Sequence, residues 1–314
     1  MTTEHHNMLA SIDHARSHLQ HAQVVSLSAA IATHLRNDGP WTQAITVHTA
    51  AAAAAQQLGD RVGHAAALND LGIAQYLADD YPAAAAALEE ALGICRDLGN
   101  RLGEANAMNE LGIVRQLTSD YRAAAAALAE ALGIYRDLGN RLGEANAMRA
   151  LGAVRYVTGD YYRATAVLER ALRICRGLGD RFGEAHTLDE LGTVRYLTSD
   201  YPAAAAALEE ALSIYGDLGE RLGEAQALNR LGTLRLTCEY PQHARAHHQT
   251  ALKIASAIQS QVEEARAHEG IGRCARATGD MDEAVDSLRK ALEIYQRIGA
   301  AEASRLADEL DSPL

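Results

Sequence analysis

The stretch RLGEANAMNELGIVRQLTSDYRAAAAALAEALGIYRDLGN, residues 101–140, decides the fold. Its first half carries apolar side chains at Leu102, Ala105, Met108, Leu111 and Leu117. That is close to the spacing of one helix face and predicts a helix A over Arg101–Thr118. Ser119-Asp120 then offers an N-cap, and a helix B is predicted over Tyr121–Leu138. Gly139 supplies a left-handed residue to end it, and Asn140 caps the helix that follows. One such period is a helical hairpin, each helix roughly 27 Å long at about 1.5 Å per residue.

The hairpin is repeated. Leu71-Gly72, Leu111-Gly112, Leu151-Gly152, Leu191-Gly192 and Leu231-Gly232 recur every 40 residues, and Ile271-Gly272 continues the series. Tyr81, Tyr121, Tyr161 and Tyr201 keep the same period, and YPAAAAALEEAL stands at both 81–92 and 201–212. Neither helix can bury its apolar stripe alone, so neighbouring hairpins must stack around one continuous core. Small residues set the closeness of that stack: Gly72 and its equivalents on helix A, Ala84, Ala91 and theirs on helix B.

Counting outward gives full repeats over 61–299 and a degenerate one over 24–60, entered through the Asn37–Trp41 turn. A capping helix is expected within 1–23, on the stripe Met8, Ile12, Ala15, Leu19 and Ala22, and another within 300–314. The expected fold is all-α: a right-handed superhelical solenoid of about seven hairpins, with the whole chain, 1–314, as a single domain. Tyr240-Pro241 stands one place early, which leaves the start of that helix B open.

Composition narrows the function. A net charge of −12 and a pI of about 5.5 argue against a general nucleic-acid or anionic-membrane surface, which needs clustered positive charge. About one residue in five is Ala, with a single Trp and a single Phe, which disfavours a β-rich core. No apolar run is long enough to span a bilayer, and Met1–His21 lacks the apolar centre of a signal peptide, so a cytoplasmic location is expected. Cys95, Cys175, Cys238 and Cys274 lack CxxC spacing and read as small buried apolar residues. His14, His18 and His21 are spaced to share one helix face, with His5 and His6 nearby, and His243 with His247 forms a second pair. Without a carboxylate or thiolate at fixed spacing these read as polar surface, and no metal or cofactor is expected.

The pattern of Leu-Gly in helix A, Asp-Tyr entering helix B and Ala-Leu near its end resembles the tetratricopeptide repeat (TPR). The usual TPR is about 34 residues long, so these hairpins are longer members. The wording of the repeats is similar to the C-terminal TPR arrays of actinobacterial signal-transduction ATPases and antibiotic-pathway regulators. No GxxxxGK[ST] loop is present, so ATPase activity is not carried over.

The resemblance implies a concave groove lined by helix A, at two and five residues before and after the Leu of Leu-Gly. In this sequence those positions include Asn69, Tyr76, Asn106, Asn109, Asn146, Arg149, Tyr156, His186, Asp189, Tyr196, Gln226 and Asn229, with Ile113, Thr193, Thr233 and Arg273. The column Asn109, Arg149, Asp189, Asn229 changes between otherwise near-identical repeats. Asn and Gln offer a donor and an acceptor each, suited to the main chain of an extended peptide. The bland alternative is a solvated face that drifted after duplication. The family's aromatic position is filled by Arg115, Arg155, Arg195 and Arg235, read as a structural ion-pair ladder. The expected function is therefore a non-enzymatic protein- or peptide-binding scaffold. Alternatives are a groove recruited to catalysis through Tyr156, Tyr196, His186 or Asp189, and self-association into a homo-oligomer.

Overall fold

The structure, a computed structural model, describes residues 3–38 and 41–311. Among them are sixteen α-helices and no strand. They form two compact units, Met1–Ile174 and Cys175–Leu314. The first holds α1 (Thr3–Ser17), α2 (His21–Asp38), α3 (Trp41–Leu58), α4 (Arg61–Leu77), α5 (Tyr81–Asp97), α6 (Arg101–Leu117), α7 (Tyr121–Asp137), α8 (Arg141–Val157) and most of α9 (Tyr161–Leu178). The second holds the end of α9, then α10 (Arg181–Leu197), α11 (Tyr201–Leu218), α12 (Arg221–Thr237), α13 (Pro241–Ile258), α14 (Gln261–Thr278), α15 (Met281–Ile298) and α16 (Glu302–Asp311).

Within each unit the hairpins follow from the caps. Asp120 accepts the Ala123 N–H at 3.1 Å and opens α7, while Asn140 accepts the Gly143 N–H at 2.9 Å and opens α8. Gly139, at φ 66°, makes the left-handed stop between them. Helix-to-helix closeness rests on the Leu-Gly pair: a Cβ added at Gly152 in α8 would stand 2.6 Å from Leu168 Cγ in α9. Leu168 is fully buried, so that side chain occupies the space the glycine leaves.

Three junctions between successive helices, α5 to α6, α7 to α8 and α9 to α10, carry a clamp absent from the expectations above. Buried Glu104 takes Arg96 at 3.0 Å and Arg101 at 2.6 Å, and buried Glu184 takes Arg176 and Arg181, both at 2.8 Å. Buried Glu144 is gripped by Arg136 and Arg170 at 3.1 Å and by Arg141. Burial raises the Glu104 and Glu184 carboxyls, but the paired guanidiniums outweigh it and leave both below the usual range.

Two expectations are corrected, and one point left open is decided. The stripe from Met8 to Ala22 is not one helix: α1 stops at Ser17, the Gln20 N–H closes on the Ala15 carbonyl at 2.8 Å, and Leu19 turns left-handed at φ 53° and lies 73% exposed. Ile12 and Ala15 are buried from α1, and Val24, Ile31 and Leu35 continue the core from α2. His14 and His18 therefore stack, with ring centroids 4.1 Å apart, while His21 begins the next helix. The side chains of His5 and His6, and the Gly39-Pro40 part of the first repeat's turn, lie outside the described residues. Finally, α13 keeps the register of the other B helices, starting at Pro241. Tyr240 occupies the cap position held elsewhere by Asp80, Asp120 and Asp200 and makes no side-chain cap bond.

Candidate functional site

The second unit contains a cavity of about 540 Å³. It is walled by successive A helices: Thr193 and Tyr196 from α10, Gln226, Asn229, Arg230 and Thr233 from α12, and Arg266, Glu269 and Arg273 from α14. Leu197, Leu208 and Leu236 supply an apolar wall, and His248 reaches it from α13. The spacing within α12 places Gln226, Asn229, Arg230 and Thr233 on one helix face.

Beneath this wall runs a buried polar chain. Asn229 Nδ2 donates to the Glu263 backbone carbonyl at 3.1 Å and to Glu263 Oε2 at 3.0 Å. Both partners are acceptors, which fixes the amide's orientation and turns Oδ1 toward His248 Nδ1, 3.0 Å away. Nδ1 must therefore carry the imidazole proton, leaving Nε2 a bare acceptor. Burial, with His247 and Arg273 nearby, lowers His248 to about 4, so the ring is neutral at pH 7. At the other end of the chain Arg266 Nη1 donates to Glu263 Oε1 at 2.5 Å.

The arginines of the cavity are held by carboxylates. Arg230 pairs with buried Asp189, and Arg273 with Glu269 at 2.7 Å. Glu269 also accepts from Arg305 at 2.6 Å and from the Tyr295 hydroxyl at 3.0 Å. These pairs orient the guanidiniums while each keeps further N–H donors.

Of the expected groove residues, the structure brings Tyr196, Gln226 and Asn229 to this cavity, with Thr193, Thr233 and Arg273. Asp189 lies behind it, as the partner of Arg230. His186 packs between Phe182 and Tyr215, with centroids 4.5 and 5.1 Å away. In the first unit, Asn69 and Asn106 line a smaller pocket of about 250 Å³. Asn106 accepts the Tyr135 hydroxyl at 2.8 Å, and Asn69 Oδ1 is buried without a partner. Asn109 is buried, donating to Glu110 at 3.3 Å and leaving Oδ1 unpartnered. Tyr76 donates to Glu110 at 3.3 Å. Burial raises Asp70 to about 6, Arg36 pulling it down and Glu110 adding to the rise. Asn146, Arg149 and Tyr156 are half-buried on α8. The varying column thus sits deeper than an open groove: Asn109, Asp189 and Asn229 are all buried between helices.

The arginine column divides. Arg115 pairs with Glu89 at 3.7 Å and Arg235 with Glu209 at 2.6 Å, each reaching back to the preceding B helix. The matching place for Arg155 holds Ala129, and Arg155 instead donates to the Arg163 carbonyl at 3.4 Å. Arg195 donates in the same way to the Ala203 carbonyl at 3.4 Å.

The residues that sequence reasoning missed are His248, Glu263, Arg230, Arg266 and Glu269. A signal existed. In the other five full repeats the position of His248 in helix B holds Leu88, Leu128, Leu168, Leu208 and Leu288, with His48 in the degenerate first repeat, and the position of Gly270 holds Asp70, Glu110, Ala150, Glu190 and Arg230.

Stacked helical hairpins define a helical-repeat protein. The tetratricopeptide-repeat model matches residues 23–97, 143–217 and 219–297, and the chain belongs to that family. No curated protein gives a significant sequence match. Among solved structures, the Rap conjugation gene regulator of the plasmid pLS20 in complex with the Phr* peptide is similar at TM-score 0.71 and 16% identity. That match covers 88% of this chain and 74% of that one. A Rap protein complexed with competence and sporulation factor matches at TM-score 0.63 and 13% identity, over 98% and 96% of the two chains. A signal transduction ATPase with numerous domains and a TPR sensor, from Pyrococcus horikoshii, matches at TM-score 0.57 and 16% identity. Here 93% of this chain and 46% of that one are covered. At these identities the likeness is one of fold. Among the described residues no helix is long and apolar enough to cross a membrane.

Proposed function

We propose that the protein is a non-enzymatic adaptor that binds a peptide segment of a partner on the inner face of its A helices, with the cavity of the second unit as the principal site. The observation that carries this reading is the cavity's wall, a volume of about 540 Å³ built from α10, α12 and α14 together. Pockets of this size with a few convergent polar groups are ordinary ligand sites. Gln226 offers a donor and an acceptor to a peptide main chain, the arginines offer N–H groups to its carbonyls and carboxylates, and the leucines take an apolar side chain. In the first unit Asn69 and Asn106 line a smaller pocket with amides of the same kind. A Rap regulator of similar fold solved in complex with the Phr* peptide, and a Rap protein complexed with competence and sporulation factor, support this reading.

Selection of a displayed peptide library on the full-length protein tests the reading. Retained peptides should bind by fluorescence anisotropy, and Thr233→Trp, which fills the cavity, should weaken them about tenfold or more. Retained peptides that bind the Thr233→Trp protein as well as the wild type would remove the site, and an empty selection would remove the function.

A further inference from the structure

His248 breaks the repeat. Where the B helices of the other five full repeats place a leucine over the helix A glycine, this one places an imidazole, 1% exposed, between Gly232 and Gly270; only the degenerate first repeat also has a histidine there, His48, and its helix A carries Ala32 in place of the glycine. A Cβ on Gly232 would stand 2.5 Å from His248 Nε2, and one on Gly270 would stand 2.3 Å from Cε1 and 2.4 Å from Nε2. The two departures, histidine at 248 and glycine at 270, fit each other: the ring face packs against α14 only because no side chain stands at 270. Nδ1 is committed to Asn229, and Nε2 has no hydrogen-bond partner. An unsatisfied buried acceptor is costly, and a leucine would not incur that cost. The same ring lines the cavity beside Leu208 and Leu236, with Arg230, Arg266 and Arg273 around it.

We propose that His248 Nε2 is the recognition atom of this cavity, accepting a hydrogen bond from the polar tip of an aromatic side chain, the phenol of tyrosine or the indole of tryptophan. The inference rests on the peptide-binding reading above and names the residue the peptide must carry. A bare imidazole nitrogen is satisfied only by a group that brings a proton. The leucine wall calls for an apolar body behind that proton, which serine or asparagine lacks. The guanidiniums favour a ring, because arginine stacks on aromatic faces. Arg266, Glu263 and Asn229 hold the imidazole in the accepting tautomer and act as positioning residues.

The test has two arms. In the first, peptides retained by the library should carry Tyr or Trp at one position. Changing that residue to Phe should weaken binding to wild type about tenfold. His248→Asn keeps a donor toward Asn229 but loses the Nε2 acceptor, and should bind the Tyr or Trp peptide and its Phe analogue equally. His248→Gln, whose amide oxygen can reach the Nε2 position, should restore part of the preference. In the second arm, ¹⁵N NMR of the full-length protein reads the His248 Nε2 resonance directly. N-acetyl-tyrosinamide should shift it and N-acetyl-phenylalaninamide should not. Retained peptides without a Tyr or Trp preference, or with a preference that survives His248→Asn, would overturn the role of His248 while leaving peptide binding in place. An empty library together with an Nε2 shift specific to the tyrosine probe would do the reverse. An Nε2 resonance that neither probe moves would overturn the inference.

Discussion

Asn229 Oδ1 lies 3.0 Å from His248 Nδ1, and this contact ties α12 to α13 at a point where each of the other five full repeats uses leucine against glycine. The amide's other end holds both the carbonyl and the carboxylate of Glu263 on α14. Asn229→Ala therefore strands three buried groups at once. It should cost about 1–3 kcal/mol in a denaturant melt. Asn109→Ala, at the equivalent place in α6, removes one 3.3 Å bond to Glu110 and an oxygen that already lacks a partner. Its cost should stay below about 1 kcal/mol. Equal losses from the two substitutions would show that the buried chain is not a connected network.

The same imidazole makes stability depend on pH. His248 sits at about 4 in the fold against an ordinary 6.5, with burial the main cause and His247 and Arg273 adding to it. The unfolded chain thus takes up the proton first. The neutral ring's contribution is complete above about pH 6.5 and is lost as pH falls toward 4. His48 in the first unit, lowered to about 4 by burial and by Arg36, slopes in the same direction. The informative quantity is therefore the difference between wild type and His248→Asn. Urea unfolding from pH 7 to 4.5 should show a shallower loss of stability for the variant.

Gly152 and Leu168 test the repeat's packing rule. With Leu168 Cγ only 2.6 Å from the place a Cβ would take, Gly152→Ala pushes α8 from α9, and Gly152→Leu does so further. Overpacking of this kind costs about 1–3 kcal/mol, the leucine more than the alanine. A thermal melt in which Gly152→Leu unfolds with the wild type would contradict the contact.

The hairpins were legible because one period of residues carries every local signal. Asp120 and Asn140 cap, Gly139 stops, and Leu111 with Gly112 marks the buried stripe, each repeated at 40-residue intervals. The break at Leu19 was hidden because an apolar residue at helical spacing gives no sign that the chain turns left-handed there. The candidate site was half legible. Helix A spacing finds Tyr196, Gln226 and Asn229, but His248 enters from a B helix, and only the difference between repeats marks it. The depth of Asn109, Asp189 and Asn229 could not be read, because spacing gives a face and not the distance to the next helix.

Two kinds of ion pair separate clearly by burial. Glu144 is buried under Arg136, Arg141 and Arg170, whereas Arg115 meets an exposed Glu89 across 3.7 Å. Glu144→Gln removes the charge that three guanidiniums share. It should lower stability by about 1–3 kcal/mol, discounted for the solvent that reaches the arginines. Arg115→Ala should change it by less than about 1 kcal/mol. Chemical denaturation at low and high salt would check both, with the larger salt effect expected at the more exposed pair.

Glu220 stands at the cap position that Asn100 and Asn140 hold in earlier repeats, and its carboxylate accepts the Gly223 N–H at 2.5 Å. Burial raises it to about 7. The Gly223 and Leu222 N–H groups oppose the rise, while Glu224 and Asp189 add to it. The folded state therefore holds the proton above the ordinary value of 4.5, so the stabilisation is complete below that pH and is lost as pH rises through 7. Glu220→Asn keeps a cap oxygen, as Asn140 does for Gly143 at 2.9 Å, and has no charge to bury. At pH 8 the variant should be more stable than wild type, by roughly 1–3 kcal/mol, and the gain should shrink toward zero at pH 4.5. A gain that does not vary with pH would point to improved capping geometry, and a loss at pH 8 would mean that the longer side chain is needed for the cap.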